Sequence, residues 1–243
     1  MKAELIPVDT AVFGRPVLAI QGFDASLDFA SFEAGYRAQY DPAYVYLKLP
    51  LADLPKIHAA ETAGFRMVEC QLRASVKLKP FYETAQYPYT FERVTTPEAL
   101  APVLAIAGET FTHDRISTDP RIPPGLSGRR YQAYVRQSFE SPDERVYRLV
   151  DRATGETVAF KTHRLMSATE VVFLLGGVLP EYKGAGVGLI NEYLEFQTLA
   201  SQGIRKGVTH VSAANHPVVN LELAGLGFRV VETFAVLRRM YGE

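Results

Sequence analysis

The stretch Val178-Leu-Pro-Glu-Tyr-Lys-Gly-Ala-Gly-Val-Gly-Leu189 decides the reading of this chain. An apolar run over residues 171–178 leads into it and an amphipathic segment over residues 189–200 follows, which gives strand, glycine loop, helix. Gly184, Gly186 and Gly188 remove side chains where backbone N–H groups converge at a helix start. The loop therefore reads as an anion cradle, and a diphosphate fits it. Two familiar diphosphate loops fail on spacing. A P-loop needs four residues between its first glycine and Gly-Lys-Ser/Thr, whereas Lys183 precedes the glycines here. The dinucleotide fingerprint runs G-x-G-x-x-G with an acidic residue about 20 positions on, but this loop runs G-x-G-x-G and meets Val208 there.

The flanking segments narrow the choice. Residues 145–150 and 157–165 alternate around the turn Arg152-Ala-Thr-Gly-Glu156, as a β-hairpin does. After the loop come a strand over 207–213, a short helix over 216–226 and a final strand over 228–240. In this setting VLPEYKGAGVG resembles the acyl-CoA loop of the GNAT superfamily of N-acetyltransferases, Gln/Arg-x-x-Gly-x-Gly/Ala, with Lys183 at the basic position. The order of elements is similar to the C-terminal GNAT core, and Asn215 with Gly227-Phe228 resembles the family's Asn…Leu-Gly-Phe ending. The resemblance implies an α+β GNAT fold with a mixed, mostly antiparallel sheet and acetyl-CoA as co-substrate. It places the coenzyme at Gly176, Val178, Lys183, Gly184, Ala185, Gly186, Val187, Gly188 and Asn215. Gly176-Gly177 reads as a bulge that frees backbone groups for the pantetheine arm, or as a pair relieving twist. Asn215 either contacts CoA or caps the helix behind it.

Composition bounds the classes. With 243 residues, 47% hydrophobic, and a formal net charge of −1, the chain can bury a substantial core. Its one cysteine, Cys70, excludes an internal disulfide and reads as a packed thiol in an alternating strand. The start MKAELIPVD is too polar for a secretory signal, and residues 171–179 fall far short of the ~20 apolar residues of a membrane span. A pI near 6.5 without a basic block argues against nucleic-acid binding. The expectation is a cytoplasmic enzyme without a metal, acting on a small molecule. A homodimer through the long final strand stays open.

Gly64-Phe-Arg-Met-Val-Glu69 returns as Gly227-Phe-Arg-Val-Val-Glu232, an offset of 163 residues, each copy after a short helix and before a long alternating strand. Upstream, a strand at 17–21, a helix at 27–39, a strand at 44–49 and a helix at 52–63 retrace the order found over 171–226. The loop glycines and polar positions have no counterpart there. Residues 1–80 thus read as a degenerate GNAT-like half-domain that helps wall the acceptor site, 81–88 as a linker, and 89–243 as the catalytic domain.

The middle of the chain bears on the acceptor. Phe111-Thr-His-Asp-Arg-Ile-Ser-Thr-Asp-Pro-Arg121 and Ser127-Gly-Arg-Arg-Tyr-Gln-Ala-Tyr134 resemble the acceptor loop and helix of the dTDP-fucosamine acetyltransferases, GNAT enzymes that acylate a 4-amino-4,6-dideoxy sugar on a nucleotide. That resemblance implies a nucleotide-linked amino sugar as acceptor, contacted by Arg115, Asp119, Arg129, Arg130, Tyr131 and Tyr134. Independently, Arg115, Arg121, Arg129, Arg130 and Arg136 suit an anionic acceptor, the alternative being a solvated helix face. Tyr131 and Tyr134, spaced i, i+3, either stack on a base or sugar or belong to the core. Another small amine or a peptide N-terminus is the alternative acceptor, and a non-catalytic CoA-binding module is the alternative class.

Acyl transfer needs a neutral amine. For a lysine-like amine of pKa about 10.4, deprotonation at pH 7 costs roughly 4 to 5 kcal/mol, and less for a sugar amine. The strand over 171–178 carries no carboxylate, so the base candidates are His163, His113 and Asp114. On the leaving-group side, the family's tyrosine seven residues after the asparagine falls on Glu222. Glu222 is either an acid kept protonated by apolar surroundings or a surface carboxylate on a helix whose extra residue has shifted the register.

Overall fold

The computed structural model describes residues 1–242, and among them the chain forms ten strands and seven helices. In the N-terminal third these are β1 (Lys2–Leu5), α1 (Pro7–Phe13), β2 (Val17–Gln21), α2 (Phe29–Tyr40), β3 (Tyr44–Pro50), α3 (Leu54–Thr62) and β4 (Arg66–Lys77). Next come β5 (Tyr89–Arg93), α4 (Pro97–Thr110), α5 (Leu126–Glu140), β6 (Glu144–Asp151), β7 (Thr157–Leu165) and β8 (Glu170–Val178). The chain ends with α6 (Val187–Ser201), β9 (Lys206–Ser212), α7 (His216–Asn220), a wide turn at Leu221–Gly225, and β10 (Arg229–Met240). No helix among the described residues is long and apolar enough to cross a membrane.

All ten strands join one sheet in the order β1-β2-β3-β10-β4-β9-β8-β7-β6-β5. Pairing is antiparallel except for β2 with β3 and β8 with β9. Each of these parallel pairs is joined through a helix, α2 in the first case and α6 in the second, as a parallel crossover requires. The two halves exchange their last strands. β4 leaves β3 to pair with β9, and β10 leaves β9 to pair with β3, so the sheet runs unbroken across both halves.

Alternation along the strands sorts the core. Ala235 and Leu237 of β10 pack with Val45, Leu47 and Leu49 of β3 under α2 and α3. Ala74 and Val76 of β4 pack with Phe173, Phe196 and Phe228 on the side of α6. The opposite side of the C-terminal half is covered by α4 and α5, around Val103, Ile106, Val135 and Phe160. Residues 81–88 are held rather than loose: Tyr82 is buried, its ring 5.5 Å from that of Phe196, and its N–H donates to Gln197 Oε1 at 2.7 Å.

Candidate active site

Strand β8 stays beside β9 only from Glu170↔Lys206 to Val172↔Val208, after which the two diverge. In the first half the equivalent pair β2 and β3 remains zipped through Ile20↔Leu47. The irregularity that accompanies the divergence lies between β7 and β8: Thr162 faces Leu175 and His163 faces Phe173, which leaves Leu174 as the extra residue. This corrects the placement of a bulge at Gly176-Gly177, since those glycines pair regularly with Lys161 and Phe160. They are glycines for space. A Cβ on Gly177 would lie 2.6 Å from the Phe160 ring, and one on Gly176 would lie 3.0 Å from Lys161 Nζ.

Beyond Val178 the chain makes a single tight turn at Pro180–Tyr182 and enters α6 through Gly184 (φ 83°) and Gly186 (φ 79°), left-handed positions that favour glycine. Gly186 sits at the N-cap with no side chain to cap the helix, and the first helical bond is Ile190 N–H to Gly186 O at 3.1 Å. The N–H groups of Val187, Gly188 and Leu189 are thereby free of helical partners, at the positive end of a 15-residue helix. Exposed Lys183 and Ala185 flank this opening, and Val178 lies at the end of the diverging strand.

The repeat supplies an internal comparison. Helix α2 begins with Asp28, whose Oδ1 accepts from Ala30 N–H at 3.0 Å and Ser31 N–H at 3.3 Å. A carboxylate already occupies the anion position there. Uncapped helix-start amides therefore exist at α6, whereas those of α2 are capped by Asp28.

Across the groove from α6, the last helix breaks its α pattern. Leu226 N–H bonds to Leu221 O at 3.0 Å, five residues back, and Phe228 N–H bonds to Glu222 O at 2.9 Å. Eleven positions separate the helix start His216 from Gly227, against ten from Leu54 to Gly64 in the first half, and the wide turn absorbs the extra residue. Glu222 stands in this turn and is 7% exposed, with Oε2 lacking any partner. Burial, then the neighbouring Glu192 carboxylate, push the Glu222 carboxyl up to about 8, with Lys161 opposing. The extra residue exists, but Glu222 is buried and not on the surface. Asn215 precedes α7 without a side-chain cap bond, although its carbonyl accepts from Val219 N–H at 2.9 Å.

Beneath Glu222 lies a buried ionic cluster that the sequence did not reveal. Lys161 Nζ contacts Glu192 Oε1 and lies 3.8 Å from Glu195 Oε2, while His163 Nδ1 is 2.8 Å from Glu195 Oε1. Burial works against the Lys161 charge, but Glu192 and Glu195 outweigh it and hold the ammonium above its ordinary range. His163 is 1% exposed, stacks on Tyr147 and faces α6, so it belongs to this cluster. A signal existed: Val187, Asn191, Glu195 and Leu199 form one buried stripe of α6, and two of its members are polar.

On the opposite side of the sheet the residues of the 111–134 segment divide. Arg130 is 7% exposed and its Nε donates to Asp9 Oδ1 of α1 at 2.7 Å, with its guanidinium 4.7 Å from the Tyr134 ring. Asp119 accepts two bonds from Arg238 of β10, at 2.5 and 3.0 Å. Tyr131 is buried and stacks on Phe111 with ring centres 3.8 Å apart. Asp114 holds the loop by accepting from Ile116 N–H at 2.9 Å and Ser127 Oγ at 3.0 Å. Arg115 lies 4.4 Å over the Tyr46 ring and 3.7 Å from Asp9, with Nε unpartnered. Arg129 and His113 are exposed. Of the arginines, Arg115 points into the seam between the halves, whereas Arg130 is committed to the fold.

No protein-family model matches the sequence, and no curated protein is significantly similar to it. Solved structures do share its architecture. A GCN5-related N-acetyltransferase from Sphaerobacter thermophilus superposes with a TM-score of 0.69 at 12% identity, over 98% of this chain and 76% of its own. A tandem GNAT protein from the clavulanic acid biosynthesis pathway, solved without AcCoA, gives 0.64 at 15% identity, over 95% and 77%. A GCN5-related N-acetyltransferase from Kribbella flavida gives 0.61 at 14% identity, over 94% and 82%. At these identities the likeness is one of fold, and the chain has the GNAT fold.

Proposed function

We propose that the protein is an N-acyltransferase that moves an acetyl group from acetyl-CoA to the amine of a small acceptor. The observation that carries this reading is the contrast between the two helix N-termini: α6 is open behind Gly186, whereas α2 is closed by Asp28. The free amides of Val187, Gly188 and Leu189, with Lys183 beside them, would hold the diphosphate. The edge of β8 beyond the divergence from β9 would bind the pantetheine arm. Glu222, neutral at pH 7 through burial, would donate its proton to the departing sulfur.

For the acceptor, the resemblance of the 111–134 segment favours a nucleotide-linked amino sugar, and Arg115 at the seam supports an anionic group on it. The first half, with its closed helix, then has no coenzyme site of its own. Calorimetry with acetyl-CoA tests the site. Thiol release from acetyl-CoA against dTDP-, UDP- and GDP-linked amino sugars, with simple amines as controls, tests the reaction. Turnover with one sugar nucleotide supports the full reading. Turnover with simple amines alone removes the sugar, and absence of acetyl-CoA binding removes the enzyme.

A further inference from the structure

Glu69 and Glu232 occupy equivalent places in the two copies of the repeat, yet their surroundings differ. Glu232 is exposed and pairs with Arg73. Glu69 is 9% exposed, on the central strand β4, opposite Val236 of β10. Because Ala74 and Val76 look toward α6, Gln71 and Glu69 look toward the acceptor loop, and Gln71 pairs with Ser212 at the free end of β9. This is the end that has diverged from β8. The groups around the Glu69 carboxyl include Arg115, Asp114, the Ser212 hydroxyl, Arg130, Lys48 and Tyr131. Burial raises it above the ordinary carboxylate range and Asp114 reinforces this, while Arg115 opposes.

We propose that Glu69, contributed by the first half, receives the acceptor's amine and takes its proton, so that the catalytic centre is built from both halves. The inference rests on the acyl-transfer reading above. It accounts for the absence of a carboxylate over residues 171–178 of β8: strand exchange sets a carboxylate from β4 beside β9 instead. The amine nitrogen forms a bond to the thioester carbonyl carbon, and the carbon–sulfur bond breaks with its electron pair on sulfur. The amine proton passes to Glu69 and the thiolate takes a proton from Glu222. Exchange with solvent then restores both carboxyls. On the same face, Lys48 lies 4.1 Å over the Phe234 ring and Arg115 over Tyr46. Both cations interact with Glu69, so an amine bearing a nearby anionic group is the acceptor class that matches.

The test needs no knowledge of the acceptor. Glu69→Cys, in a Cys70→Ser background, places a nucleophilic thiol where Glu69 stands. It is incubated with acetyl-CoA alone, and acetylation of position 69 is followed by peptide mass spectrometry. Glu232→Cys in the same background is the control for the equivalent position outside the site. The expected result is acetylation at position 69 at least tenfold faster than at 232. Equal or slower modification, with acetyl-CoA binding intact by calorimetry, overturns the placement of Glu69. Glu69→Gln should bind acetyl-CoA as the unsubstituted protein does, and loss of binding there makes the residue structural and also overturns it. If the unsubstituted protein itself does not bind acetyl-CoA, the acyl-transfer reading fails instead.

Discussion

Gln71 of β4 and Phe234 of β10 face each other at the centre of the sheet, and the pairs on either side of them correspond one to one. Arg229↔Ser75 corresponds to Arg66↔Arg238, and Val230↔Ala74 to Met67↔Leu237 under the 163-residue offset. The irregularities correspond as well, with Val231 extra on one strand and Val68 on the other. The Gln71–Phe234 pair therefore marks a two-fold relation between halves that have exchanged strands. The symmetry is incomplete. The parallel pair opens in one half only, the helix N-terminus is free in one half only, and the wide turn with Glu222 occurs in one half only.

Glu222 should make stability fall as pH rises. Its folded carboxyl titrates near 8, against a model value of 4.5, so between these the folded state holds the proton more tightly than the unfolded state. The penalty is absent below the unfolded value, grows through this window, and is complete above pH 8. At 1.36 kcal/mol per unit it amounts to at most roughly 4 to 5 kcal/mol. Urea midpoints across this range should decline for the native protein and decline less for Glu222→Gln. If Glu222 is also the acid for the leaving sulfur, kcat should fall above pH 8, and Glu222→Gln should lower kcat without raising the KM for acetyl-CoA. An unchanged pH slope of stability in Glu222→Gln would refute the burial argument.

What the sequence disclosed was local. The hairpin, the glycine loop and the helix behind it depend on alternation, turn residues and helical spacing, and β7 spans the same residues as the alternation that announced it. The hexapeptide echo pointed to the correspondence between β4 and β10 that the register shows. Strand exchange was not legible, because nothing within Arg66–Lys77 says that its neighbours will be β10 and β9 rather than β3. Register between distant strands is decided by tertiary packing. Helix α4 was legible in principle: Thr96 precedes Pro97, and its hydroxyl caps Ala99 N–H at 3.3 Å. In the candidate site, the glycine loop was visible in its own spacing and Glu222 only through the family resemblance, whereas Lys161, Glu192 and Glu195 meet only once β7 lies under α6. Arg130 resembled a ligand residue because its partner, Asp9, is 121 positions away.

Gly186→Asp should place a negative charge at the second helix N-terminus, where the first has Asp28. A carboxylate beside the free amides would repel a diphosphate. Affinity for acetyl-CoA should drop more than tenfold by calorimetry. The left-handed φ of 79° adds backbone strain of about 1 kcal/mol, so far-ultraviolet circular dichroism should stay native. Retained affinity would show that the α6 terminus does not hold the diphosphate.

Asp9 should prove one of the costliest residues to remove. It is 1% exposed, bonds Arg130 at 2.7 Å and lies 3.7 Å from Arg115, thereby tying α1 to α5 and to the loop before it. Asp9→Ala leaves two guanidinium groups buried without their carboxylate. Breaking a buried pair from one side costs about 3 to 5 kcal/mol. A urea midpoint shift equivalent to less than about 1 kcal/mol would mean that water reaches the arginines and replaces the carboxylate.

Two glycine-to-alanine changes should move stability in opposite directions, because only one glycine is needed for space. Gly35 lies within α2, its backbone is not left-handed, and no atom stands within 4 Å of an added Cβ. Gly35→Ala should stabilise by about 0.5 to 1 kcal/mol through helix propensity and loss of unfolded-state freedom. Gly128 is also helical, in α5, but a Cβ there would lie 2.3 Å from the backbone oxygen of Gly108 in α4. Backbone cannot step aside as a flexible side chain does, so the two helices must move apart over the Val103, Ile106 and Val135 core. Gly128→Ala should cost about 1 to 3 kcal/mol, the range for overpacking a tight contact. Thermal unfolding of both variants should show one midpoint above that of the native protein and one below it. A Gly128→Ala midpoint at or above native would mean that the close crossing of α4 and α5 contributes nothing to the fold.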